Sequence, residues 1–77
     1  MIKHELNTVD FLLLMEVMRK IDGDHITNVN QIDEQVCMAT IRPTVLDRHT
    51  FSQWYTLEFD SVRHQTLFNL KYGTNYS

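Results

Sequence analysis

The chain has 77 residues, 43% of them apolar and 22% charged, with ten acidic and seven basic side chains and a net charge of −3. These values exclude a disordered tail, a polycation and a collagen-like repeat, and they leave one small globular domain, 1–77, which at this size buries only about 60–65% of the surface its unfolded chain exposes. The single cysteine, Cys37, cannot close an internal disulfide, and the longest apolar run, Phe11 to Met15, is far shorter than a bilayer span. A cytoplasmic protein without a membrane segment is the expectation. One alanine and two glycines among many Thr, Asn and Asp residues suit an AT-rich genome such as that of a phage, in which case the compartment is the host cytoplasm.

The first element in chain order is a helix. Asn7 or Thr8 can cap it, with Asp10 in a variant of the capping box, and Gly23 can end it, while Arg19 and Lys20 fall in the last turn where they complement the helix dipole. The expected span is 8–22. At 100° per residue, Phe11, Leu14, Met15, Met18 and Ile21 form one stripe with Val17 at its edge, which is the expected core contact. Leu12 points away from that stripe. It is either a tolerated surface leucine or part of a surface that another chain covers.

Residues 23–33 are polar and read as a connection. EQVCMATIR, residues 34–42, then alternates Val36, Met38 and Thr40 against Cys37, Ala39 and Ile41, as a strand with two apolar faces does, and Pro43 is expected to end it. A rival pattern runs through the same region. Ile26, Val29, Ile32, Val36 and Ala39 recur at threes and fours, which would make 28–41 a second helix and the protein mostly α.

Two further segments follow the pairs Arg48-His49 and Arg63-His64. In TFSQWYTLEF, Phe51, Tyr55, Leu57 and Phe59 share a side with Gln53, opposite Ser52, Trp54, Thr56 and Glu58. In HQTLFNLKY, His64, Thr66, Phe68, Leu70 and Tyr72 oppose Gln65, Leu67, Asn69 and Lys71. Both read as strands, joined by a turn at DSVRH, and the repeated Arg-His pairs sit at their starts by coincidence. The fold class is therefore α+β, with one N-terminal amphipathic helix on a three-stranded antiparallel sheet. The apolar residues of 61–72 scatter on a helical wheel, which argues against a helix there.

Chemistry is sparse. Cys37 could be a nucleophile served by His25, His49 or His64, but between Val36 and Met38 it reads as a small core residue. Asp22, Asp24, Asn28, Asn30 and Asp33 match oxygen positions of a calcium loop, yet Ile26 and Thr27 occupy positions that need an oxygen ligand and a glycine. No paired-ligand spacing for zinc and no glycine-rich phosphate loop is present. The expectation is a protein without catalysis, cofactor or metal. Nucleic-acid binding has some support from Trp54 and Tyr55 near Arg48, Arg63 and Lys71, but the net negative charge opposes it. That leaves a small nucleic-acid-binding or transcription-regulatory protein as the alternative.

If the aromatic side of the sheet packs under the helix, its other side leaves Trp54, Leu67, Ile41 and Cys37 uncovered. Together with Leu12 they suggest a surface meant to be covered, and Trp and Arg are the residue types that most often carry interface energy. Leu12, Trp54, Arg48, Arg63 and Leu67 are the expected partner-binding residues. The partner would be a larger protein, bound stoichiometrically by a small inhibitor or adaptor, or a second copy in a homodimer.

Overall fold

The computed structural model describes residues 1–49 and 52–76, with the side chains of 45–47 and 52 outside the description. The class is α+β, as expected, but the elements that build it differ. In chain order they are β1 (Ile2–Leu6), α1 (Thr8–Asp22), a 3-10 turn at Val29–Gln31, α2 (Glu34–Cys37), β2 (Thr40–Asp47), β3 (Ser52–Phe59) and α3 (Val62–Tyr72).

The first helix forms where its caps place it. The Asn7 side chain accepts from the Asp10 backbone N–H at 2.8 Å, and Gly23, at φ +122°, donates its N–H to the Arg19 carbonyl at 2.9 Å. Phe11, Leu14, Met15 and Met18 are buried, whereas Ile21, expected in the same stripe, is exposed, and in the last turn it is Asp22 that faces inward.

The sheet has three antiparallel strands in the order β1-β3-β2. Since β1 and β2 each run antiparallel to the strand between them, they are parallel to one another, and α1 lies on the connection, as in a split β-α-β unit. Ile2, His4 and Leu6 face the same side as Phe59, Leu57 and Tyr55, with Ile41 opposite Leu57 in β2. This side carries the core: Leu6, Ile41, Leu57 and Phe59 are buried with Phe11, Leu14, Met15, Met18 and Phe68. Phe11 stacks on Tyr55 at 3.7 Å between ring centroids, and Phe59 meets Phe68 edge-on at 5.2 Å. Both long helices thus cover one face of the sheet.

Several expectations are corrected. Residues 64–72 are not a strand: Ser61 caps a helix by accepting from the His64 N–H, Gly73 closes it in the left-handed region at φ +65°, and Gln65, Phe68 and Tyr72 face inward. Leu70, expected in the core, is 76% exposed on the far side of that helix. The rest of α3's apolar residues do scatter; a polar residue, Gln65, completes its buried face.

Residues 34–42 are neither one strand nor part of a helix over 28–41. Asn28 caps the 3-10 turn and Asp33 caps the single turn of α2, which ends at Met38 in the left-handed region at φ +63°. The strand begins only at Thr40 and passes through Pro43, which pairs with Tyr55 next to a register shift. An edge strand at a bulge has no ladder bond for proline to break. Cys37 and Ile41 accordingly lie in the core and not on an open sheet face. The third sheet strand is β1, which the sequence did not signal, while Phe51 lies outside the described residues.

Candidate interaction surface

Asp22 is the polar centre at the end of the helix layer. Its carboxylate accepts from the Tyr72 hydroxyl at 2.6 Å and pairs with Lys71 at 3.0 Å, and Lys71 also donates to the Val36 carbonyl at 2.7 Å. Burial, and then the bond to Asp22, hold the Tyr72 phenol well above its ordinary value. This arrangement ties α1, α2 and α3 together. The residues of the apparent calcium loop are used in the same way: Asp22 here, Asn28 and Asp33 as caps.

Cys37 lies beside this centre, 1% exposed, with its thiol donating to the Ala39 carbonyl at 3.0 Å. Burial pushes that thiol above its ordinary 9.0. It shares a cavity of about 260 Å³ with His25, whereas His64 interacts with Ser61 at the start of α3 and His49 lies in the turn after β2. The arrangement favours a thiol kept protonated as a core residue. Among the described residues, no group of three or more His, Cys, Asp and Glu is placed to hold a metal ion.

The expected partner-binding residues do not form one patch. Trp54, Thr56 and Glu58 alternate with the core-facing residues of β3 and so belong to the uncovered face of the sheet, where Thr56 bonds to Thr44 and Glu58 pairs with Lys3 at 3.8 Å. Trp54 is half-buried there. Leu67, expected beside it, is half-buried on α3 in the helix layer, across the sheet. Arg63 is exposed in the first turn of α3, and Arg48 is exposed in the turn after β2. A stacking platform is not assembled either, because Tyr55 packs on Phe11 and Lys71 is engaged with Asp22.

Leu12 keeps its expected place, whereas Leu13, which the wheel sets near Val17 as a widening of the buried band, is exposed instead, and Val9 is a neighbour that the sequence reading did not single out. Val9, Leu12 and Leu13 are 66%, 58% and 57% exposed on the outward side of α1. Their helical positions fall within about 100° of one another, so they make one ridge. Further along the same side are Glu16, Arg19 and Lys20, with Glu16 and Lys20 paired at 3.6 Å. Grooves flank the ridge on both sides. One, of about 170 Å³, has Leu12, Glu16, Arg19 and Ile26 in its walls; the other, of about 310 Å³, has Leu13, Val17 and Tyr76. The signal for Val9 and Leu13 was in the wheel, since both lie opposite the Phe11 and Met18 stripe.

No helix among the described residues is long and apolar enough to cross a membrane. No protein-family model matches the sequence, and no curated protein or solved structure matches it either.

Proposed function

We propose that the protein is a non-enzymatic binding module that captures a larger protein stoichiometrically, as an inhibitor or adaptor, through the outer face of α1. The observation that carries this reading is the exposure of Val9, Leu12 and Leu13 side by side on a helix whose opposite stripe already fills the core. Lone exposed apolar residues are ordinary on a small domain; three adjoining ones on a rigid element are the usual mark of a contact surface.

The shape suggests how the partner binds. A ridge between two grooves receives a second helix by interdigitation, and the charged stretch at Glu16, Arg19 and Lys20 would set its direction. The test is to replace Leu12 and Leu13 together by serine and to compare capture of the partner with the unaltered chain. Binding through α1 predicts loss of capture with an unchanged circular dichroism spectrum, and retained capture would reject it.

A further inference from the structure

The two borders of the sheet are not alike. At one border β2 carries Pro43 and a register shift, both of which discourage another strand from adding. At the other, β1 is regular over five residues, and among the described residues its backbone bonds only with β3. That border is open, and a regular open edge is a template for a further strand.

The side chains of β1 specify which strand fits. In Ile-Lys-His-Glu-Leu, Lys3 and Glu5 are exposed on the uncovered face, and Ile2, His4 and Leu6 face the helix layer. Reversed about His4, the segment opposes Lys3 to Glu5 and Ile2 to Leu6. We infer that β1 pairs antiparallel with β1 of a second copy about a twofold axis at His4, joining the two sheets into one of six strands.

Other alignments of the same two strands fail. A shift of one residue would turn one copy's core face toward solvent. Moving the axis to Lys3 or to Glu5 keeps the faces but sets like charges opposite one another across the strands, which is unfavourable. Only the axis at His4 gives two oppositely charged pairs. It also extends a charge row already present, because Lys3 pairs with Glu58 on β3 and would stand between that carboxylate and Glu5 of the second copy. On the same face Glu5 is opposite Thr56, which provides no competing cation.

The experiment is sedimentation velocity with native mass spectrometry on the full chain and on two charge reversals, Lys3→Glu and Glu5→Lys. The unaltered chain is expected to be a dimer. Each variant alone converts both opposed pairs to like charges and is expected to weaken association by about tenfold or more. Mixed in equal amounts, the two variants make every opposed pair opposite in charge and are expected to form a one-to-one heterodimer. Lys3→Glu also replaces the Lys3–Glu58 pair, in which the carboxylate is 17% exposed, by two opposed carboxylates and so costs some folding stability; if that chain is unfolded, Glu5→Lys alone must still weaken the dimer. A monomeric unaltered chain at its highest soluble concentration overturns the inference. So does a dimer that neither reversal weakens. Because α1 is untouched by both reversals, this result is independent of the capture experiment.

Discussion

The Tyr72 hydroxyl donates to the Asp22 carboxylate across 2.6 Å, so that the last residues of α1 and α3, 50 positions apart in sequence, close on one hydrogen bond. Tyr72 is 4% exposed and the Asp22 side chain 11%, so water does not readily replace either partner. A hydrogen bond to a charged group in such a place contributes about 1.5–3 kcal/mol. Tyr72→Phe keeps the ring against Phe68 and leaves Asp22 with Lys71 alone. The expected loss is about 2 kcal/mol in urea denaturation, with an unchanged slope. A loss below about 0.5 kcal/mol would show that the bond is not formed in solution.

Alkaline stability follows from the same phenol. Its value in the folded protein is raised above the ordinary 10.0, first by burial and then by Asp22, and the buried Cys37 thiol is raised above 9.0 by burial. Both groups are neutral when protonated, so the unfolded chain releases these protons first as the pH rises. Their contribution to stability is complete below about pH 9 and is lost progressively above it. Denaturation midpoints measured from pH 7 to 11 should fall above pH 9, and Tyr72→Phe should make the fall shallower.

Two glycines end the long helices and should differ in their tolerance of a side chain. At Gly73, φ is +65° and an added Cβ meets nothing within 4 Å, so Gly73→Ala is expected to cost only the left-handed backbone, about 1–2 kcal/mol. At Gly23, φ is +122° and a Cβ would lie 2.8 Å from the His25 ring. That conformation is outside the usual left-handed well, so Gly23→Ala should be the more destabilising of the two by thermal melting. The reverse order would contradict the cap geometry.

How legible these features were depended on how local their causes are. The limits of α1 are set by Asn7, Asp10 and Gly23, all adjacent to the helix, and β3 alternates because one side faces the core and the other does not. α3 was misread because His64, Thr66, Phe68, Leu70 and Tyr72 happen to alternate, while its real signals, Ser61 before it and Gly73 after it, are single residues. The inward place of Gln65 depends on His4, 61 positions away, whose Nε2 lies 3.2 Å from Gln65 Nε2. β1 has only five residues, three of them polar or charged, and becomes a strand because β3 offers it a partner. The candidate surface was legible at Leu12 for the same local reason as α1. Trp54 and Leu67 were placed together only because α3 was taken for a strand.

Phe59 is fully buried between His4 and Phe68, with ring centroids at 6.1 and 5.2 Å. Phe59→Ala should cost about 3–5 kcal/mol, a large fraction of the stability of so small a domain. Leu12→Ser with Leu13→Ser should by contrast change stability by less than about 1 kcal/mol, because both side chains are more than half exposed. Equal losses at the two sites would mean that the α1 ridge is part of the fold and not a free surface.

The most direct measurement is affinity capture from the native host with quantitative mass spectrometry, using the unaltered chain and the Leu12→Ser, Leu13→Ser variant in parallel, followed by hydrogen exchange on the recovered complex. The account predicts one protein recovered in fixed ratio by the unaltered chain only, with exchange slowed along Val9–Arg19. Recovery of the same protein by both chains, or no protein in fixed ratio with either, would contradict it.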